Sequence, residues 1–294
     1  MLINKRDIMK ISEILKKDSP SLSFEVFPPK TDSVYDTVRN AVDEIAKTLP
    51  SFMSVTYGAG GGTSGYTVSI AQEIQKKNVV ALAHLSCISS TKALVNEQLV
   101  KLRDAGIENI LALRGDIPQG MTTDHLDYHY ASDLALDIKS FGGFCIGGAC
   151  YPDGHPDSKN QREDIDNLKK KIDAGCEFLT TQMFFDNNLL YNYLYKLKSA
   201  GISVPVLPGI MPVTNGKQIE RILKLSGSCL PPRFKFITDR FGDDPDAMTQ
   251  AGIAYATEQI VDLFANGINH VHVYSMNKPD VAKKILENLS SIVK

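Results

Sequence analysis

Val79-Val80-Ala81-Leu82-Ala83-His84-Leu85 is a short β-rich run, and Leu94, Gln98, Leu99 and Leu102 follow it at helical spacing. Asp104-Ala105-Gly106 then stops the helix, and Asn109-Ile110-Leu111-Ala112-Leu113-Arg114 opens a second β-rich run. This is one strand, helix, strand unit, with the glycine placed where a left-handed residue ends a helix. Working outward, the same grammar recurs. Further β-rich runs stand at Leu22–Phe27, Phe52–Tyr57, Cys145–Tyr151, Glu177–Met183, Val204–Ile210 and Asn269–Ser275, making eight in all. Their starts are separated by about 35 residues on average, which suits one strand and one helix per unit. Helical spacing fills the gaps, as at Val34, Val38, Val42 and Ile45, at Ile165, Leu168 and Ile172, and at Leu189, Tyr193 and Leu197.

Strands alternating with helices call for a parallel sheet, and eight units close a (β/α)8 TIM barrel. An open doubly wound sheet is the alternative. The stretch from Thr214 to Ala265 is longer than the others and contains Leu230-Pro231-Pro232, so an extra helix is expected as an insertion between strands 7 and 8. A helix over Met1–Lys17 is expected to plug or flank the barrel. No linker interrupts the pattern, so residues 1–294 read as a single domain.

Composition narrows the function classes. Of 294 residues, 43% are hydrophobic and 22% charged, and the net charge is −2, which excludes a disordered chain and offers no basic field for nucleic acid or an anionic membrane. Cys87, Cys145, Cys150, Cys176 and Cys229 are odd in number and contain no CxxC pair, so they read as reduced core thiols. No run approaches the ~20 apolar residues of a membrane span. The expectation is a soluble cytoplasmic protein acting on small molecules.

In a closed barrel the active site lies at the carboxyl ends of the strands. Period-two alternation puts Leu22, Phe24 and Val26 toward the helices and turns Ser23 and Glu25 inward. The same reasoning directs Ser54, Thr56, His84, Arg114, Tyr151, Thr180, Gln182, His270, His272 and Tyr274 to the interior or its rim. A core built only for stability would not choose these residues. Glu25, between Phe24 and Phe27 and before Pro28-Pro29, suits a general acid whose pKa is raised by apolar surroundings; a buried carboxylate paired with Arg or Lys is the bland alternative. Arg114-Gly115-Asp116 ends strand 4 with a cation and an anion around a glycine that lets backbone approach a ligand, or else forms a surface turn.

Other patterns carry less. Gly60-Gly61-Gly62-Thr63-Ser64-Gly65 matches GxGxxG, yet the next strand ends in His84-Leu85 without an acidic residue for a ribose, so it reads as a loop at the active face. His270 and His272, and likewise His125 and His129, have metal-compatible spacing but lack a carboxylate or cysteine cluster, and no metal site is assigned. Tyr191, Tyr193 and Tyr195 read as mixed core and surface. Lys169-Lys170-Lys171 reads as a solvated face from which Lys170 or Lys171 could meet an anionic cofactor.

Taken in order, Ser23-Phe24-Glu25-Val26-Phe27-Pro28-Pro29-Lys30, Ser54-Val55-Thr56-Tyr57-Gly58-Ala59, Ala83-His84-Leu85-Ser86-Cys87, Leu111-Ala112-Leu113-Arg114-Gly115-Asp116, Tyr151-Pro152-Asp153-Gly154-His155-Pro156 and Pro208-Gly209-Ile210-Met211-Pro212 resemble the signature of the methylenetetrahydrofolate reductase family. The likeness runs from about Ser21 to Ser291. It implies a flavin-binding barrel and a ping-pong reaction in which NADH or NADPH reduces bound FAD, and 5,10-methylenetetrahydrofolate then takes the hydride to become 5-methyltetrahydrofolate.

Residue by residue, the resemblance assigns Glu25 as the acid and Asp116 as the carboxylate beside flavin and pterin. For FAD it points to Thr56, His84, Arg114, Gly115, Asp116, Tyr130, Ala131, Tyr151, His155, Asp164, Asn167, Lys170 and Lys171. For the folate it points to Asp116, Gln182, Gln218 and Lys278. It further implies a homo-oligomer. Lys278 stands where an arginine is frequent, and Ile222 where some relatives carry an aromatic ring. The chain ends after the eighth helix, so the S-adenosylmethionine-binding domain of eukaryotic relatives is not expected. A barrel acting on another imine or pterin, and a non-catalytic flavin-binding subunit, are the rival readings.

Overall fold

The computed structural model describes residues 9–57, 64–117 and 126–293. Nine short parallel strands follow in chain order: β1 (Ser21–Val26), β2 (Met53–Val55), β3 (Ala81–Ser86), β4 (Asn109–Leu113), β5 (Cys145–Cys150), β6 (Phe178–Thr181), β7 (Val206–Leu207), β8 (Gly209–Ile210) and β9 (His270–Tyr274). Each of β1 to β6 pairs with the next, β6 pairs with β7, β8 pairs with β9, and β9 returns to β1. β7 and β8 are two halves of one barrel strand, divided at Pro208, which has no N–H for the ladder. The join is held without it. Leu179 N donates to Pro205 O at 2.9 Å, His272 N donates to Pro208 O at 2.8 Å, and Gly209 N donates to the Thr181 hydroxyl at 2.8 Å. Eight strand positions therefore form the expected (β/α)8 architecture, and the open doubly wound alternative is excluded.

Outer helices cover the strands, and sequence-coded caps fix their ends. Thr91 accepts from Leu94 N and Asn160 from Glu163 N at the starts of Lys92–Asp104 and Gln161–Asp173. Gly106 and Gly267 close their helices at φ +75° and +80°, where a β-carbon would be strained. The insertion is larger than the one expected helix. A 3-10 turn (Gly216–Gln218) and two helices (Ile219–Ser226 and Pro232–Phe241) precede Pro245–Ala265, which takes the place of the seventh barrel helix. Pro232 occupies a first-turn position where its missing N–H costs nothing.

Alternation along the strands separates two layers. Leu22, Phe24, Val26, Val55, Ala83, Leu85, Ile110, Ala112, Val271 and Val273 pack outward in the principal apolar core shared with the helices. Inside, the amino-terminal end of the barrel is filled by Phe52, Leu82, Leu111, Cys145, Phe178 and Leu207 together with Ile11, Ile14 and Leu15. The N-terminal segment thus plugs the barrel, although its described helix is only Ile11–Ile14, shorter than expected, and residues 1–8 lie outside the described residues. Polar pins seat the plug: Ile11 N donates to Asn109 Oδ1 and the Ser12 hydroxyl to Glu177 Oε2, both at 2.8 Å. With one end closed by apolar side chains, the polar inward residues are left to the carboxyl end.

Candidate active site

Glu25 projects into that end and is 7% exposed. Its Oε2 lies 3.5 Å from Ser54 Oγ, 3.5 Å from His84 Nε2 and 3.9 Å from His272 Nε2. Among the described residues no lysine or arginine is ion-paired with it, and only the long bond from the Ser54 hydroxyl offsets the loss of water around a carboxylate. Burial pushes its pKa from 4.5 up to about 8, and burial pulls His84 and His272 down to about 3. At neutral pH this is a neutral acid facing two neutral imidazoles rather than an ion pair. The apolar setting inferred from Phe24 needs correction, because Phe24 packs outward and the closed barrel interior itself supplies the desolvation.

The backbone that carries Glu25 is fixed from the β9 side. The β1 to β9 ladder ends at the pair Glu25 and Tyr274, and side chains continue it. The Ser275 hydroxyl donates to Glu25 O at 2.7 Å, Phe27 N donates to Asn277 Oδ1 at 2.8 Å, and Asn277 Nδ2 donates to Phe27 O at 3.0 Å. Met276 and Asn277 reach this position at φ +53° and +55°, a region that asparagine tolerates and methionine does not favour. Neither Ser275 nor Asn277 was singled out from sequence. They lie just past the strand, where side chain to backbone pairing leaves no periodic signal. Tyr274 Oη donates to Thr181 O at 2.6 Å across Gly209, where a β-carbon would stand 2.3 Å from that hydroxyl.

Around the rim, the inward parity of β4 belongs to Leu111 and Leu113, so Arg114 does not point into the barrel as alternation suggested. It leaves the strand end and pairs through Nη2 with Asp157 Oδ2 at 2.8 Å, a partner with no signal in the motif; Asp157 is held below the usual carboxylate range by that bond. Gly115 has φ +86°, and a β-carbon there would press on Ser86 and Ile88 at 3.2 and 3.3 Å. Tyr151 meets His155 edge-on at 4.5 Å between centroids, and His155 Nδ1 accepts from Asp157 N. On Gln161–Asp173, Asp164, Asn167 and Lys171 share one face. Lys171 Nζ donates to Ala149 O at 2.8 Å and Lys170 Nζ to Asn167 Oδ1 at 2.9 Å. Burial lowers the Lys171 pKa and raises that of Asp164. The lysine run is thus divided, with Lys170 exposed and Lys171 turned inward. Tyr130 is exposed at the cap of Ala131–Phe141, Ala131 is buried, and Thr56 follows β2 with its N–H on Val26 O.

Among the described residues, four buried side-chain atoms at this end lack a hydrogen-bond partner: His84 Nε2, Thr180 Oγ1, Asp153 Oδ2 and Asp164 Oδ2. His84 Nε2 approaches Glu25 without bonding geometry. Each such atom costs about 1–3 kcal/mol unless something completes it, so their gathering at the carboxyl end marks a place for a polar ligand. Asp116 is exposed at the tail of β4. Gln182 is half-buried and accepts from Met183 N through Oε1 at 2.9 Å. Lys278 is exposed and donates to Thr214 Oγ1 at 2.5 Å. The side chain of Gln218, the glycine loop at 58–63 and His125 lie outside the described residues. His270, at the opposite end, is bonded to Ser21 Oγ and Lys17 O. Cys229 is exposed, unlike the other four cysteines, which are buried as expected. Among the described residues no helix is long and apolar enough to cross a membrane.

A family model for methylenetetrahydrofolate reductase matches residues 10–290. The 5,10-methylenetetrahydrofolate reductase of Escherichia coli (strain K12) is 33% identical over 97% of this chain and 96% of its own length. Methylenetetrahydrofolate reductase 1 of Schizosaccharomyces pombe is 36% identical over 96% of this chain and 48% of its own, so the chain spans about half of that relative. Among solved structures, a Clostridium thermocellum protein described as binding two copies of 5-methyl-5,6,7,8-tetrahydrofolic acid superposes with a TM-score of 0.69 at 13% identity, covering 97% of this chain and 100% of that one, a likeness of fold alone. Matched over nearly its whole length by the family model and by relatives above 30% identity, the chain belongs to the methylenetetrahydrofolate reductase family.

Proposed function

We propose that this chain reduces 5,10-methylenetetrahydrofolate to 5-methyltetrahydrofolate, using FAD reduced by NADH or NADPH in a ping-pong cycle, with the single barrel as catalytic unit, in the cytoplasm and as a homo-oligomer. The observation that carries the reading is a buried Glu25 with no cationic partner among the described residues, at the open end of a barrel of this family. The unpartnered His84 Nε2 and Asp164 Oδ2 and the cations Arg114 and Lys171 suit a large polar and anionic cofactor, with Gly115 and Asp116 beside Arg114. Thr56, Tyr130, Ala131, Tyr151, His155, Asn167 and Lys170 complete the same rim. When bound, FAD supplies two-electron hydride chemistry between nicotinamide and folate.

The protein's task is protonation and orientation. Glu25 gives its proton to N10 of the folate as the bond from N10 to the methylene carbon breaks; the bond's electron pair stays on N10, and the methylene carbon is left as an iminium on N5. Hydride addition to that carbon yields the methyl group. An acid kept neutral at pH 7 can do this, whereas an ordinary glutamate would already be ionised. Asp116 supplies negative charge toward the cationic iminium, moderated by its exposure to water. Gln182 has its Oε1 engaged by Met183 N, which leaves its amide N–H groups for the pterin edge. Gln218 and Lys278 are assigned to the remainder of the folate.

The test is anaerobic. Purified protein supplied with FAD should show a visible flavin band that bleaches with NADH or NADPH and returns on adding 5,10-methylenetetrahydrofolate, with 5-methyltetrahydrofolate recovered. A protein that never binds FAD, or a flavin that bleaches and is not reoxidised by the folate, overturns the reading.

A further inference from the structure

Arg114 is fixed at its backbone and again at its side-chain tip. Its backbone oxygen accepts from Cys87 N at 3.2 Å and from Ile88 N at 2.8 Å, which ties the end of β4 to the residues just past β3. The guanidinium is held separately: Nε donates to Gly115 O at 3.2 Å and Nη2 to Asp157 Oδ2 at 2.8 Å. Two anchors on one planar group set its plane as well as its position, which a single contact does not do. Among the described residues, both N–H groups of Nη1 and one of Nη2 are then left for a ligand.

Asp157 also reaches within its own loop. Its backbone N–H donates to His155 Nδ1 at 3.0 Å, so a neutral His155 carries its proton on Nε2, and Tyr151 meets that ring edge-on at 4.5 Å between centroids. The loop is braced on both sides of it: Gly154 N donates to Tyr151 O at 2.9 Å, Ser158 N to His155 O at 3.0 Å and Lys159 N to Glu163 Oε2 at 2.7 Å. Asp157 therefore joins the end of β4 to the loop beyond β5. Its side chain is 59% exposed and that of Arg114 23%, and an ion pair so open to water adds little to folding. A carboxylate beside a cation also weakens the pull of that cation on an anion. What the pair gains is orientation.

From this geometry we infer that Asp157 is a positioning residue for the cofactor, holding the Arg114 guanidinium, and with it the rim between β4 and β5, ready for the anionic part of FAD. The inference rests on the proposed function in naming FAD as the ligand. The physical gain is preorganisation, because a guanidinium already ordered gives up less side-chain freedom when the anion arrives. The opposite reading of the same contact is competition, in which Asp157 must release Arg114 before an anion can bind. The two readings differ in the sign of what removing Asp157 does to cofactor affinity.

Two measurements test it. The first is FAD affinity, read from the change in flavin fluorescence as FAD is added to the full-length protein freed of flavin. Asp157→Ala is expected to bind FAD about tenfold more weakly than the parent. Asp157→Asn keeps an acceptor in place and removes the charge, and it is expected to bind close to the parent. Tighter binding by Asp157→Ala would mean competition, and unchanged binding would mean a surface ion pair alone; either result overturns the inference. The second measurement needs no FAD. In the 15N NMR spectrum of the same protein labelled at arginine, the Arg114 Nη signals are assigned by their loss in Arg114→Lys. They are expected to be resolved in the parent, where two anchors slow rotation of the guanidinium, and averaged in Asp157→Ala. Averaged signals in the parent would overturn the inference whatever reaction the protein catalyses. A parent that binds no FAD refutes the proposed function, whereas a parent that binds it no better than Asp157→Ala refutes this inference alone.

Discussion

Replacing Glu25 by glutamine should make the protein's stability respond to pH in a way that reports the proton directly. At low pH the carboxyl is protonated in both folded and unfolded chains. Between its ordinary value of 4.5 and its folded value of about 8, the unfolded chain ionises while the folded one keeps its proton, so stability that is fully present at low pH is lost across that window. Above it both forms are ionised and the loss stops growing. At ~1.4 kcal/mol per pH unit, the loss between about pH 5 and about pH 9 comes to about 4 kcal/mol. A glutamine side chain keeps the shape and cannot ionise, so Glu25→Gln should gain on the parent by that amount over the same interval. Urea unfolding of both proteins at the two pH values measures the gap, using midpoints and slopes from the same buffers. A gap that stays constant within about 1 kcal/mol would mean that Glu25 is ionised in the folded protein, and the argument for a neutral acid would fail.

Three further outcomes follow from geometry alone. Gly209→Ala would place a β-carbon 2.3 Å from Tyr274 Oη and 2.7 Å from Thr181 O, so a loss of about 1–3 kcal/mol is expected in denaturant unfolding, and an unchanged midpoint would contradict the packing described. In the native protein one thiol, Cys229, should react rapidly with a thiol reagent, and the four buried cysteines should react only after unfolding; two fast thiols would refute the burial assignment. Asn277→Gly keeps the left-handed backbone and removes both bonds to Phe27, so it should lower stability by about 1–2 kcal/mol and slow the folate step more than flavin reduction, as read by unfolding and by the two half-reactions. Equal slowing of both half-reactions would place Asn277 outside the support of Glu25.

The barrel was legible because its units repeat a local code. Alternation in Leu22–Val26 sorted Phe24 from Glu25 correctly, and helix stops such as Gly106 and Gly267 fell where left-handed residues are required. What the code missed lies where it stops applying. Arg114 follows the last paired residue of β4, so strand parity no longer governs it, and its partner Asp157 comes from a loop 43 residues away. Pro208 divides the seventh strand; the proline stood in plain view within Val204–Ile210, but that the two halves stay in one ladder depends on the carbonyls of Pro205 and Pro208 meeting β6 and β9. Ser275 and Asn277 act through side chain to backbone bonds that depend on where two strands end relative to each other. Alternation turned His272 to the barrel interior or its rim, and it is buried inside; that its two nitrogens both face serines follows only from the register of β1, β2 and β9.

The central claim is that Glu25 is the acid for the folate step and takes no part in flavin reduction. Anaerobic stopped-flow of Glu25→Gln with bound FAD, mixed first with NADH or NADPH and then, once reduced, with 5,10-methylenetetrahydrofolate, tests it most directly. The account predicts flavin reduction at a rate close to the parent's and reoxidation slowed by about a hundredfold or more, the range typical of a lost general acid. Reoxidation at the parent's rate would contradict it.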